Sequence, residues 1–389
     1  MTDNGLTGGN LDALLSQHAA GIAELKALVK DVLTPEHDDV WLLRFLLSNG
    51  SPAASEEPIR FTITWRAERK DALERIKQGG QAPYHTEVSK YQVAGDHKYT
   101  ALGEPIFYVR IGLCNPRALM DNVSYNAVVE YMMLSREATM VYLDTKSRET
   151  RTLLKAITIL DFNGFSLLRG NDARFSKVLG DTSKLSEKMY PQVLGRTIFV
   201  NTPAIFSFCF RLIKPLMSAR AVAKMVFCPG GKQLSDCPYV TKYLKLSDLP
   251  TFLGGQCSCD GSGCIGGIPN SQTTPLTSVD DDGLASMTVA ARSVQSLDIA
   301  IKSGRVFEYT LGVPGKRVEV SVAFKSSGDS NVIEIFPKQF LQDTSGLVDG
   351  VWPAPADGVV TILFDGNDAV FRGRQVQYKV EVVDDPADA

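Results

Sequence analysis

The sequence predicts a multidomain protein: an α-helical N-terminal region, an α/β domain with a largely parallel sheet, and a C-terminal antiparallel β-sandwich. Apolar residues recur at helical spacing before residue 80. Buried strands alternate with long helical stretches from 105 to 215, and a period of two takes over after residue 300. With 389 residues, the chain has room for two or three domains, each with its own core.

Leu11, Leu14, Leu15, Ile22, Leu25, Leu28, Val29 and Val32 share one helical stripe over 11–32. Thr34-Pro35-Glu36 reads as an N-cap, a proline at the first helical position and an acid in the first turn. The helix it opens carries Val40, Trp41, Leu43, Phe45, Leu46 and Leu47, and Asn49-Gly50 stops it. A further helix is expected over 59–77, with Pro58 at its first turn. The character changes near Pro83. PIFYVRI (105–111) and AITILD (156–161) read as buried strands, the second ended by Asn163-Gly164; a long helix over 121–143 between them turns Val128, Met132 and Val141 inward. Asp172 caps a helix running through Met189, 196–201 is a third strand, and Thr202-Pro203 opens an apolar helix. Residues 254–283 are rich in Gly, Ser, Thr and Pro, which reads as a linker. Beyond it, Val318, Val320, Val322 and Phe324 alternate with polar residues, as do Val376, Tyr378, Val380 and Val382; 306–311, 332–336 and 359–364 add further strands. The expected divisions are 1–82, 83–256, a linker at 257–284, and 285–389.

The run 190–227 opposes its own protein in sign. Seven basic residues and no acid lie between Lys188 and Ser235, in a chain whose net charge is −3. Large apolar side chains interleaved with cations suit an anionic amphiphile or a membrane interface. The same pattern suits a buried helix with a solvated basic rim.

Other function classes are disfavoured. A pI of 5.9 gives no reason to expect nucleic acid. The polar start MTDNGLTGGN is not a secretory signal, and Asn201, Pro203, Arg211 and Lys214 interrupt the best apolar stretch, so any membrane contact is expected to be peripheral. Seven cysteines, an odd count, suggest free thiols in a reducing cytosol. All four histidines precede residue 98, and GxSxG, HExxH and GxxxxGK[ST] are absent, so no catalytic residue is assigned and no enzyme is expected. Gly261-Ser-Gly263-Cys-Ile-Gly266 matches GxGxxG but lacks the strand–turn–helix that a dinucleotide requires. Cys257, Cys259 and Cys264, joined by Cys237 or Cys228, offer four thiolates without paired C-x2-C knuckles; a Gly-rich turn with free thiols is the favoured reading, with no metal and no cofactor. Asp161 at a strand end is read as a turn or cap residue.

Several segments together resemble the CRAL-TRIO family of lipid-binding domains. They are LLRFLL (42–47) with Trp65-Arg66, EPIFYVRIG (104–112), ITILDFNG (157–164), the run 190–227 and LPTFLGG (249–255). Residues 285–383 look like a GOLD domain. The resemblance implies a single phospholipid, phosphatidylinositol or phosphatidylcholine, or another hydrophobic ligand, held in an internal cavity. The helix 205–214 would be its gate, with Phe206, Phe210, Ile213 and Met217 lining gate and cavity, or forming plain core. Arg66 and Lys224 fall at the family's phosphoinositide headgroup site, where Gln192 replaces a glutamate. Thr158 matches one of a hydroxyl pair that serves phosphatidylcholine, and Ala156 replaces the other; Arg211, Lys214 and Arg220 would meet the membrane. This implies a cytoplasmic, transiently membrane-associated lipid carrier. The alternative is a lipid-sensing adaptor whose GOLD domain recruits a protein partner in membrane trafficking.

Overall fold

The structure, a computed structural model, describes residues 9–165, 172–202, 210, 214, 219–228, 244–272, 284–328, 331–345 and 347–384. The chain divides into two compact units, one holding the helices and a parallel sheet and one centred on Val279–Ala389.

In the first unit the helix expected over 11–32 is two helices, α1 (Leu11–Gln17) and α2 (Ala19–Val29), broken at His18, where φ −106° and ψ 12° leave helical geometry. The buried stripe of Leu11, Ile22, Leu25 and Val29 survives the break. α3 (Asp39–Asn49) starts later than Thr34-Pro35-Glu36 suggests. Its N-cap is Asp38, whose carboxylate accepts from Trp41 N at 3.0 Å, while Thr34 N donates to His37 Nδ1 at 3.0 Å in a turn. α4 (Pro52–Ala67) is capped by Ser51 and holds Pro58 in its interior, not its first turn. The carbonyl that Pro58 leaves without a donor belongs to Ala54, an exposed residue that water can serve. α5 (Lys70–Lys77), α6 (His85–Val88), α7 (Pro116–Asn122) and the long α8 (Tyr125–Thr150) follow. α9 (Ala173–Met189) is capped by Asp172, as the sequence indicates.

Five strands form one sheet in chain order: β1 (Ala94–Tyr99), β2 (Pro105–Arg110), β3 (Ala156–Asp161), β4 (Leu194–Val200) and β5 (Met225–Phe227). β1 runs antiparallel to β2, and every pairing from β2 to β5 is parallel. On one face Ile106, Tyr108, Ile157, Ile159, Ile198 and Val200 form a closed core with Leu249, Leu253, Cys264 and Ile265. The stretch read as a linker is thus folded in its first part: Cys264 and Ile265 are buried, and Arg110 donates to Pro269 O at 3.3 Å and Gln272 O at 2.5 Å. Among the described residues, no helix is long and apolar enough to cross a membrane.

The second unit holds β6 (Ala285–Val289), β7 (Val294–Ile301), β8 (Arg305–Gly312), β9 (Val318–Ser326), β10 (Val332–Leu341), β11 (Val348–Pro353), β12 (Gly358–Asp365) and β13 (Arg374–Asp384). They make two antiparallel four-stranded sheets, ordered β10-β9-β12-β7 and β11-β8-β13-β6. Phe307, Leu311, Val320, Val322, Phe324, Val360, Ile362, Phe364 and Val376 fill the core, the alternation expected of a sandwich.

Candidate functional site

The other face of the five-stranded sheet is unlike the first. Side chains alternate along a strand, and the parallel register aligns Phe107, Thr158, Thr197 and Met225 in one row. Val109, Leu160, Phe199 and Phe227 make the next. Two of the eight, Thr197 and Phe199, are buried. Phe107, Val109, Thr158, Leu160 and Met225 are half-buried and Phe227 is exposed. Phe199 stacks on Phe227 at 4.8 Å between ring centroids and on Phe162 at 6.1 Å. The face is apolar but for two in-register hydroxyls, Thr158 and Thr197, neither of which has a hydrogen-bond partner among the described residues.

Arg66, on the last turn of α4, is fixed by Glu137 of α8, with Nη2 to Oε1 at 2.9 Å, and its guanidinium lies 5.7 Å from the Trp41 ring centroid. Glu137 is 3% exposed, so its charge requires that arginine. The pair lines a cleft of about 360 Å³ with His37, Lys77 and Arg148, a polar hollow too small and too charged for acyl chains. Gln192 takes a positive φ of 59°; its Nε2 donates to Ser48 Oγ at 3.1 Å and its carbonyl accepts from Arg44 Nη1 at 3.2 Å. Lys224 Nζ donates to Leu194 O at 2.7 Å, at the start of β4 and two residues beyond Gln192. The structure therefore brings Gln192 and Lys224 to the same end of β4 and sets Thr158 on the sheet face opposite the closed core, while Arg66 is engaged across α4 and α8. Phe210 is half-buried and Lys214 exposed. Phe206, Arg211, Ile213, Met217, the Arg220 side chain and the rest of the gate at 205–214 lie outside the described residues. Asp161 has a structural role: its Oδ1 accepts from Asn201 Nδ2 at 2.7 Å and from Asn163 N at 3.0 Å.

Residues 89–255 match the CRAL/TRIO domain. Within this CRAL/TRIO region lie β1 to β5 and both faces of their sheet. The chain is 28% identical over 218 residues to the phosphatidylinositol/phosphatidylcholine transfer protein SFH11 of Arabidopsis thaliana, covering 54% of this chain and 55% of that protein. It is 28% identical over 254 residues to SFH12 of the same organism, covering 62% of this chain and 44% of that one. The SEC14 cytosolic factor of Eremothecium gossypii is 27% identical over 279 residues, 70% of this chain and 86% of its own. The chain thus spans about half the length of the Arabidopsis relatives it matches.

Two side chains of the CRAL/TRIO region escape sequence reasoning. Thr197 sets a second hydroxyl beside Thr158, on the next strand. Its identity is plain in the sequence, but its neighbour depends on the register between strands. Arg136 on α8 donates only to Met132 O of its own helix, at 2.6 Å, with no acid beside it among the described residues. Burial pulls its pKa below the usual arginine value. Arg136 is half-buried, and its sequence signal is no more than one more arginine on a helix.

Proposed function

We propose that this protein binds one phospholipid, or a similar hydrophobic ligand, over the face of the CRAL/TRIO sheet that carries Thr158 and Thr197, and transfers or presents it between membranes. The observation that carries the reading is that face: eight aligned side chains, apolar apart from the Thr158–Thr197 pair, on a sheet whose opposite face is fully packed. Acyl chains would cover the apolar rows at roughly 25 cal/mol per Å² removed from water. The two hydroxyls would donate to phosphate oxygens. The transfer proteins named above support a phosphatidylinositol or phosphatidylcholine guest. Gating by 205–214, with Phe206, Phe210, Ile213 and Met217 toward the lipid and Arg211, Lys214 and Arg220 toward a membrane, rests on the sequence resemblance, as do the GOLD assignment and a transient membrane association from the cytosol. Transfer requires no covalent chemistry, in keeping with a reading that assigns no catalytic residue.

Native mass spectrometry of the purified protein, with vesicle-to-vesicle transfer of labelled lipid, tests this. A co-purifying phospholipid at one per chain is expected; empty protein that moves no lipid would sink the idea. Thr158→Val with Thr197→Val should lower phosphatidylcholine transfer by about tenfold, since each charge-assisted bond contributes on the order of 1 kcal/mol or more. Lys224→Gln should reduce phosphatidylinositol transfer by about tenfold and phosphatidylcholine less. Equal losses for both lipids would show that Lys224 serves the fold through Leu194 and not a headgroup.

A further inference from the structure

On the packed face of the same sheet the structure assembles a group that the sequence reading did not. His97 of β1 meets Cys257, Cys259 and Cys264, with one potential ligand atom from each residue lying within 4.8 Å of all the others. Cys259 is the hub: its Sγ is 3.8 Å from Cys257 Sγ, 3.5 Å from Cys264 Sγ and 4.0 Å from His97 Nδ1. We propose that these four residues form a closed tetrahedral metal site that takes Zn²⁺.

The geometry supports this directly. Zinc bonds of about 2.3 Å to sulfur and 2.0 Å to nitrogen, at tetrahedral angles, put sulfurs about 3.8 Å apart and sulfur about 3.5 Å from nitrogen. The observed separations need only small shifts to close on an ion, and they are far beyond a sulfur–sulfur bond of about 2.05 Å. Three thiolates and an imidazole select zinc over the hard cations magnesium and calcium. The expectation of free thiols without metal weighed Cys228 and Cys237 as the fourth ligand; the fold supplies His97 instead. His97 is buried, its Nε2 has no hydrogen-bond partner among the described residues, and the backbone of Asp248 also acts on its ring by a hydrogen bond.

The surrounding chain is built to hold the sulfurs. Cys257 N donates to Leu249 O at 2.9 Å and Cys257 O accepts from Thr251 N at 3.0 Å. Asn270 braces the loop from the other side: its Oδ1 accepts from Cys264 N at 3.0 Å, and its Nδ2 donates to Cys257 O at 2.9 Å and to Cys264 Sγ at 3.3 Å. An amide N–H on a sulfur is the usual outer support of a thiolate ligand. Gly263, at φ +90°, sits where a Cβ would fall 1.9 Å from Ile268 O, so the tight return of the loop admits no other residue. With four protein ligands and no open position the site is structural. It ties the segment after the parallel sheet to β1, and so closes the core around Tyr108 and Ile265.

The test uses the full chain, purified without chelator. Elemental analysis should find about one zinc per chain. After chelation, Co²⁺ should restore the absorption of tetrahedral thiolate-bound cobalt with an end point at one equivalent. Asn270→Ala, which keeps all four ligands, should weaken zinc binding by about 10–100-fold, and Cys114→Ser should leave it unchanged. His97→Ala should alter the cobalt spectrum, and an unaltered full-strength spectrum would remove histidine from the ligand set. Protein that carries no zinc, gives no tetrahedral cobalt spectrum, or has a mass two hydrogens lighter from a disulfide would overturn the proposal.

Discussion

Replacing Arg44 with alanine is expected to lower the unfolding free energy of the first unit by about 3–5 kcal/mol. Arg44 is 0% exposed, yet it carries a charge and every part of its fork is used. Nε meets Asp144 Oδ1 at 2.6 Å, Nη1 donates to Leu154 O and Gln192 O at 3.2 Å each, and Nη2 donates to Ser147 Oγ at 3.1 Å. Truncation leaves a nearly buried carboxylate without its close partner, because Arg148 stands 4.0 Å from Asp144. It also strips the buried Leu154 carbonyl and the part-buried Gln192 carbonyl of a donor and opens a cavity beneath α3. Arg44→Lys keeps the charge but not the fork, and should cost about 1.5–3 kcal/mol. Urea unfolding followed by circular dichroism and by fluorescence of buried Trp41 measures both. A loss below about 1 kcal/mol for alanine would mean that water replaces the guanidinium at little cost, against the geometry. The effect should reach function too. Arg44 holds the carbonyl of Gln192, the residue whose left-handed backbone turns the chain into β4, where Lys224 is anchored.

What the sequence made legible was local. AITILD forms β3 over its full length, because a β-branched, mostly apolar run leaves a continuous strand signature, with Ile157 and Ile159 packed in the core. Asp172 caps α9 because a carboxylate before a helical run has one obvious use. β1 was missed for the opposite reason. AGDHKY has almost nothing that favours a strand, and it is one because β2 offers it an edge and Tyr108 packs under it. The candidate site divides the same way. Thr158 could be placed on a strand from its neighbours, but the hydroxyl beside it belongs to β4 and is fixed only by register. Arg66 could be singled out, but the acid that holds it is 71 residues away on another helix. His97 is farther still from the cysteines it joins, and no spacing rule links an edge strand to a loop after the sheet. Local chemistry was readable, whereas partnership across the fold was not.

Glu104→Gln should make the protein more stable above pH 7 by about 1–3 kcal/mol. Glu104 is 0% exposed in the turn between β1 and β2. Its Oε2 accepts from Thr100 Oγ1 at 3.1 Å, while its Oε1 is buried with no partner among the described residues. Desolvation is the dominant influence and lifts its pKa from the ordinary 4.5 to about 7; the Thr100 hydrogen bond and the Lys155 charge pull the other way but do not prevail. The direction of the pH dependence follows from which state holds the proton. Between pH 4.5 and 7 the folded protein keeps a proton that the unfolded chain has released, so this group makes stability fall as pH rises through that window and then level off. The full swing is roughly 3 kcal/mol for a shift of this size. Glutamine keeps the shape and the acceptor for Thr100 without ever ionising, so its advantage over the wild type should be absent near pH 4.5 and grow to its full value by pH 8. Comparing urea midpoints of the two proteins at pH 4.5, 6 and 8 isolates this group from the other raised carboxyls, Asp96, Asp161 and Glu308, which both proteins share. Parallel profiles would mean that Glu104 is already charged at neutral pH and that water reaches Oε1. A converging pair at low pH would locate one proton, at one turn, as a source of the protein's sensitivity to alkali.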